Sequence, residues 1–383
     1  MSYLEYNVKR SPSGLRKVLY VNWALVLLLS AVASIGFLQL YSVSGGNFDR
    51  WTEPQMQRFG LSLAVMFTIG FVPLWFWRSM SVMGYAVSFV LLLGVEFFGT
   101  VGMGAQRWLE LGPIRLQPSE MMKISIVMMM AAYYDWLDIK RVSHPFWVLV
   151  AVLLIVVPAF LVLIQPDLGT ALMIIGAGGM VMFFAGVSLW YFGAVIGLGV
   201  GLVTAVFMSR GTSWQLLRDY QFRRIDAFLD PTLDPLGSSS HINQAMIALG
   251  SGGWSGRGFM QGTQSRLNFL PEKHTDFIFN TLAEEFGFIG SVFLLTLYIG
   301  IIVTCVIAAM QAKNRYASLL ILGIAGNFFL YFAINMAMVM GLAPVVGVPL
   351  PMVSYGGSAM LLLMAAFGIV QSAHVHRPRG RTR

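Results

Sequence analysis

Charge is scarce in this chain. Of 383 residues, 11% are Asp, Glu, Lys or Arg, and a single cysteine, Cys305, lies inside an apolar run. One buried thiol excludes a disulfide framework and a thiolate metal cluster. Low-complexity tracts are missing, no internal repeat stands out, and no inverted pair of Gly/Pro-interrupted spans of the transporter kind is visible. A cleavable leader is not expected either. The basic start (Lys9, Arg10, Arg16, Lys17) leads into about twenty apolar residues, longer than the apolar core of a signal peptide, so the stretch reads as a retained first span. What fills the chain instead is hydrophobic: 57% of residues, with a mean hydropathy of +0.72. No soluble domain of ordinary composition reaches that value.

The expected fold is an all-α polytopic membrane protein, one integral unit over 1–383. Apolar windows able to cross about 30 Å of hydrocarbon fall near 19–41, 58–77, 82–102, 118–136, 146–164, 169–186, 188–208, 282–310, 316–340 and 352–371, which makes ten spans. The fourth is the weakest, because Glu120 and Lys123 stand in its first turn. Lys9, Arg10, Arg16, Lys17, Arg78, Lys140, Arg141, Lys313, Arg315 and the arginines of the tail share one side. That bias predicts cytoplasmic termini. It also accounts for the net charge of +8 through orientation and anionic lipid, so no nucleic-acid partner is implied. One large extracytoplasmic loop is left, 209–281, between spans seven and eight. Its run Asp219 to Asp230 mixes basic and apolar residues like an interfacial helix. His241 to Gly253 reads as a short helix ended by glycines.

Polar residues without a lipid-facing role gather at the outer junctions. Leu270 to Phe288, LPEKHTDFIFNTLAEEFGF, packs Lys273, His274 and Asp276 where the loop meets a span. Ionisable groups at such a boundary are costly unless they pair or act. Thr275 is expected to cap the following helix, placing Asp276 in its first turn. The macrodipole there favours the carboxylate while desolvation opposes it, a compromise suited to a base. Upstream, Pro118 opens a helix that sets Glu120 and Lys123 three apart on one face, either a weak interfacial ion pair or part of a site. Arg107 and Trp108 read as a snorkelling cation with a belt aromatic, or as a wall of the same site. Asp167, in QPDLGT, fits a helix cap. Ser354, Gly356 and Gly357, in VSYGGS, form a glycine-bearing helix opening that either receives an anion or allows close packing. Together these describe one outward-facing polar site with Asp276 as its candidate for chemistry.

Four runs resemble the signatures of the SEDS family of bacterial cell-wall proteins: Gly250 to Phe279, QPSE at Gln117 to Glu120, QPDLGT at Gln165 to Thr170, and VSYGGS at Val353 to Ser358. The first run and the short tails are more similar to the elongation-type members than to the division-type ones. The resemblance implies a peptidoglycan glycosyltransferase that polymerises lipid II on the outer face of the cytoplasmic membrane beside a class B penicillin-binding protein. It implies that Asp276 is the essential aspartate, that Glu120 and Lys123 are the family's polar pair, and that Arg107 and Trp108 line its cavity. Displacing a pyrophosphate from an anomeric carbon needs a base on the acceptor side and positive charge on the leaving side. Arg218, Arg223 and Lys273 are the candidates for that charge. A divalent cation, Mg or Mn, with Asp167 or Glu120 as ligand is an alternative, although the chain has no dedicated metal cage. Two rivals remain: a flippase for the lipid-linked precursor, and a non-enzymatic scaffold of the elongation machinery.

Overall fold

The computed structural model describes residues 14–102, 105–111, 114–212, 214–216, Phe222, Asp226, 238–266 and 273–377. It is nearly all helix: α1 (Trp23–Val43), α2 (Glu53–Phe71), α3 (Leu74–Phe98), α4 (Pro118–Trp136), α5 (Pro145–Ile164), α6 (Leu168–Ala185), α7 (Leu189–Ser209), α8 (Ser238–Ser251), α9 (Thr263–Arg266), α10 (Ile278–Met310), α11 (Arg315–Val339) and α12 (Gly357–Val375). Among the described residues, eight helices are long and apolar enough to cross a membrane: α1, α3, α5, α6, α7, α10, α11 and α12. The second and fourth expected spans correspond to α2 and α4, each of 19 residues. Glu53 and Arg58 in α2, and Glu120 and Lys123 in α4, lower their apolar character. Pro73, whose ring cannot continue a helix, ends α2 inside the window expected for span two.

One departure from an all-helical expectation lies between α3 and α4. Three short antiparallel strands, β1 (Thr100–Gly102), β2 (Ala105–Leu111) and β3 (Ile114–Leu116), form a small sheet that sets Trp108 opposite Thr100. β2 packs on α3 and α4. Its sequence does not announce a strand: in AQRWLEL polar Gln106 and Arg107 are adjacent, as are apolar Trp108 and Leu109, so the two-residue alternation of a half-buried strand is broken.

Polar side chains tie the bundle at the end carrying the chain termini. Gln371 of α12 pairs reciprocally with the backbone of Asn22 (2.9 and 3.1 Å), and Asn22 caps α1 by accepting from Leu25 N–H. Arg78 pairs with Asp135 at 2.6 Å, and Asp135 also accepts from Tyr316 N–H at the start of α11. Buried polar groups that are paired in this way cost little, and they fix helix register. α4, α6, α11, α12 and the first part of α10 form the buried centre. α7 is the exception, burying only Ser209. Its start is fastened to Ser143 through Ser188 N–H (2.9 Å) and Tyr191 O–H (3.1 Å).

Candidate active site

α11 organises the opposite, loop-bearing end. Tyr331 and Asn335 lie four residues apart, so they share one face about 6 Å apart along the axis. Tyr331 O–H donates to Glu120 Oε2 at 2.8 Å, while Lys123 Nζ donates to Glu120 Oε1 at 2.6 Å and stands 4.4 Å over the Tyr331 ring. Glu120 is 8% and Lys123 2% exposed, so the pair is a core network rather than an interfacial one. One turn along, Asn335 Nδ2 donates to the Asp276 carbonyl (2.9 Å) and to the Val348 carbonyl (2.7 Å). One helix face thus holds the Glu120–Lys123 pair and the backbone of the candidate base within a single turn of each other.

Asp276 sits in a turn, 273–277, and not in the first turn of a helix. α10 begins at Ile278 with Phe277 as its cap residue and no side-chain cap bond. Thr275 therefore does not cap it, contrary to expectation. Its carbonyl is taken up by Ser354 Oγ–H at 2.6 Å, and Ser354 in turn accepts from Leu350 N–H at 2.8 Å. Tyr355 N–H donates to the His274 carbonyl at 2.9 Å. The chain must expose Asp276 to the loop connecting α11 and α12, and these backbone bonds compete with helix formation at the turn. Gly347, at φ 72°, lies against the Asp276 carboxylate: a Cβ added there would stand 3.8 Å from Oδ2.

Beside the turn runs a stack that the sequence did not suggest. Arg50 lies 4.5 Å over Trp51, Trp51 stacks on His274 (4.6 Å, 3°), His274 meets Tyr355 at 6.0 Å, and Arg58 lies 4.7 Å over Tyr355. Gln55 Nε2 donates to the Ser354 carbonyl at 3.0 Å. Burial first, then the positive charge of Arg50, push the Lys273 ammonium below its ordinary range. Arg50, Lys273 and Arg58 therefore put three cations along the stack beside the turn 273–277. Nothing in the sequence singled out Arg50 or Arg58. Their link to the site is legible only in three dimensions, whereas Tyr331 and Asn335, polar groups one turn apart in an apolar span, did leave a signal.

The remaining expected residues divide clearly. Asp167 caps α6, accepting from Thr170 N–H at 3.1 Å. Gly356 and Gly357 open α12, and Arg58 rests against Gly357. Trp108 is half-buried on β2. The side chain of Arg107, all of Arg218 and Arg223, and most of Asp219 to Asp230 lie outside the described residues. For a divalent cation, both oxygens of Glu120 are already engaged, and Asp167 is a cap. Among the described residues, no group of three or more His, Cys, Asp or Glu side chains gathers to hold a metal. The helix His241 to Gly253 is present as α8, beginning earlier, at Ser238.

Known proteins resemble this chain in sequence and fold. The family described as "Cell cycle protein", comprising FtsW, RodA and SpoVE, matches residues 21–379. The peptidoglycan glycosyltransferase MrdB of Escherichia coli K12 is 41% identical over 355 residues, covering 92% of this chain and 93% of its own. MrdB of Helicobacter pylori 26695 is 34% identical and covers 82% of each. Among solved structures, a chain from a work on "polymerization and crosslinking by a peptidoglycan synthase complex" superposes with a TM-score of 0.78 at 28% identity, over 92% of this chain and 97% of its own. The rod shape determining protein RodA of Thermus thermophilus gives 0.69 at 26% identity, over 94% and 98%. With a match across nearly its whole length, this chain belongs to the FtsW, RodA and SpoVE family.

Proposed function

We propose that this protein is a peptidoglycan glycosyltransferase of the elongation type, a multi-pass bacterial membrane enzyme that polymerises lipid II with Asp276 as general base. The observation that carries the reading is the face of α11 on which Tyr331 holds Glu120 and Lys123 and Asn335 holds the turn of Asp276. In the reaction, the acceptor sugar hydroxyl gives its proton to the Asp276 carboxylate while its oxygen bonds to the anomeric carbon. The bond from that carbon to the pyrophosphate oxygen breaks with inversion, and the electron pair leaves on undecaprenyl pyrophosphate. No protonating acid is required, because pyrophosphate departs as an anion stabilised by positive charge. Lys273, Arg50 and Arg58 supply that charge from the stack beside the turn of Asp276, and Arg218 and Arg223 stay candidates alongside them.

The loop-bearing end is the extracytoplasmic one in this reading, following the cation bias of the opposite end. The lipid arrives sideways from the bilayer, and α7, the span least packed on its neighbours, is where the bundle offers it room. A class B penicillin-binding protein is the partner that crosslinks the product. Against a flippase stands the distribution of charge. The buried charged side chains among the described residues, Glu120, Lys123, Asp167, Glu284 and Glu285, all lie at or within about two turns of helix starts on one end, not at midspan. Against a scaffold stands the cost of burying Glu120 and Lys123 for no chemical return. The test is purified protein with its class B partner, given lipid II in detergent and in vesicles. Glycan strands are expected; transfer of lipid II across the vesicle without linkage supports the flippase and rejects this reading.

A further inference from the structure

The turn of Asp276 is gripped through its backbone. Three consecutive carbonyls, those of His274, Thr275 and Asp276, are taken by Tyr355 N–H (2.9 Å), Ser354 Oγ–H (2.6 Å) and Asn335 Nδ2 (2.9 Å). Asn335 belongs to α11, but Ser354 and Tyr355 belong to the loop before α12, so the turn is held only as firmly as that loop is. The loop includes Met352 at φ 65°, a left-handed conformation that persists only where the surroundings enforce it.

One side of α2 and of the helical turn Phe48–Thr52 leading into it faces this loop and the turn it holds. Trp51, Gln55 and Arg58 follow one another at four- and three-residue spacing, which places them on one side of the helix. Trp51 stacks on His274, and Arg58 lies over Tyr355. Between them Gln55, 0% exposed, commits both ends of its amide to the loop: Nε2 donates to the Ser354 carbonyl at 3.0 Å, and Oε1 accepts from Gly356 N–H at 3.4 Å. The amide thus brackets Tyr355, whose N–H holds His274, and fixes the backbone of Ser354, whose hydroxyl holds Thr275. A buried amide is costly unless its ends are paired, and both pairs made here are with the same loop. The packing of α2 on α12 does not depend on it. At the far end of α2 from Gln55, Gly368 lies against Ile69 and Met66, and Gly70 against Gln371. We propose that Gln55 is a positioning residue for glycosyl transfer: through Ser354 and Tyr355 it holds the turn 274–276, and with it the Asp276 carboxylate, in place for the acceptor hydroxyl. The inference rests on the role proposed for Asp276. Gln55 acts through the loop and not on the substrate.

Two measurements test it. The first needs no substrate: amide hydrogen exchange of the full chain in detergent, comparing wild type with Gln55→Met, which keeps the length of the side chain and loses both hydrogen bonds. Exchange over 273–278 and 354–357 rises by about tenfold, while the far end of α2 exchanges at the wild-type rate. The second is glycan bond formation from lipid II with the class B partner, measured as a cycle of Gln55→Met, Ser354→Ala and the double variant. Each single variant lowers the single-turnover rate by about tenfold to a hundredfold with lipid II affinity little changed, because a base displaced by about 1 Å costs that much. The double variant falls within about twofold of the slower single one, since both act through the same hold on the turn. Losses that multiply, a wild-type rate in Gln55→Met, or a loss confined to lipid II affinity overturns the proposal, as does unchanged exchange over both stretches. A wild type that never links lipid II rejects the glycosyltransferase reading instead, and the exchange measurement then judges the hold on the turn by itself. If Gln55→Met fails to fold, Gln55→Glu decides the matter: it keeps the acceptor for Gly356 N–H, loses the donor to Ser354, and slows the same step.

Discussion

Removing one member of the Glu120–Lys123 pair strands a charge, and the structure says which removal costs more. The two side chains are 10% and 3% exposed and 2.6 Å apart. Breaking such a pair from one side costs about 3–5 kcal/mol. In Lys123→Met, Glu120 keeps the hydrogen bond from Tyr331 at 2.8 Å. A bond to a charged group offsets about 1.5–3 kcal/mol, so this variant falls at the lower end. In Glu120→Leu, Lys123 keeps only the Tyr331 ring at 4.4 Å. A cation over a ring offers about 0.5–2 kcal/mol, so this variant falls at the upper end. At roughly 2 °C per kcal/mol for a chain of this size, the midpoints drop by about 6 and 10 °C. The double variant Glu120→Leu/Lys123→Met leaves no stranded charge and recovers most of the loss, because a well-packed apolar pair is often as stable as a buried ionic one. The assay is thermal unfolding of the detergent-solubilised protein, with glycan polymerisation measured on the same samples. Stability returns in the double variant but polymerisation does not, because the pair borders the reacting groups. Single variants that melt within about 1 °C of wild type would refute the energetic reasoning. A double variant that polymerises at the wild-type rate would refute the functional one.

Further outcomes follow from the same geometry. Asn335→Ala frees the Asp276 and Val348 carbonyls, and a displaced base lowers kcat by about a hundredfold with KM little changed; steady-state kinetics check this, and a KM effect alone would assign Asn335 to substrate binding. Lys273 has its pKa lowered by burial and then by Arg50, so it loses its charge at a lower pH than an ordinary lysine. The alkaline limb of kcat/KM therefore falls below the usual lysine range, and Arg50→Gln, by removing one of the two causes, moves it upward; a limb that stays put contradicts the assignment. The same shift makes the folded state disfavour the charged amine, so the stability cost is present below the folded pKa and fades as pH rises through it. Gly287→Ala brings a Cβ to within 2.3 Å of Gly256 N, so the loop detaches from α10 and limited proteolysis near Gly253 to Arg266 speeds up; unchanged cleavage would mean the contact is dispensable.

What the sequence made legible was what periodicity and punctuation can carry. The long apolar runs marked helices close to where they stand, and Pro118 and Asp167 marked helix starts correctly, because capping and first-turn chemistry are local. Glu120 and Lys123 were paired correctly for the same reason, since i and i+3 share a face. Their burial was not legible, as it depends on Tyr331, more than two hundred residues away. Thr275 failed as a cap because the turn 273–277, tied to the loop before α12 by Ser354 and Tyr355, delays the helix start to Ile278, a tertiary arrangement that overrides a local preference. The stack from Arg50 through Trp51, His274 and Tyr355 to Arg58 joins three separate segments, and no local pattern reports that. Glu284 and Glu285 read as ordinary helix residues, and only their burial against Gln39 and Ser42 makes them unusual.

The central claim is that Asp276 takes the proton of the acceptor hydroxyl. Its most direct measurement is the single-turnover rate of glycan bond formation from lipid II by the protein with its class B partner, comparing wild type, Asp276→Asn and Asp276→Ala. Partner binding and the unfolding midpoint of each variant are measured alongside. The account predicts that both variants fold, bind the partner and lipid II, and lose about a hundredfold or more in the bond-forming rate, with Asn no better than Ala because an amide cannot accept the proton. If Asp276→Asn forms glycan strands at near the wild-type rate, the base lies elsewhere and the account is wrong.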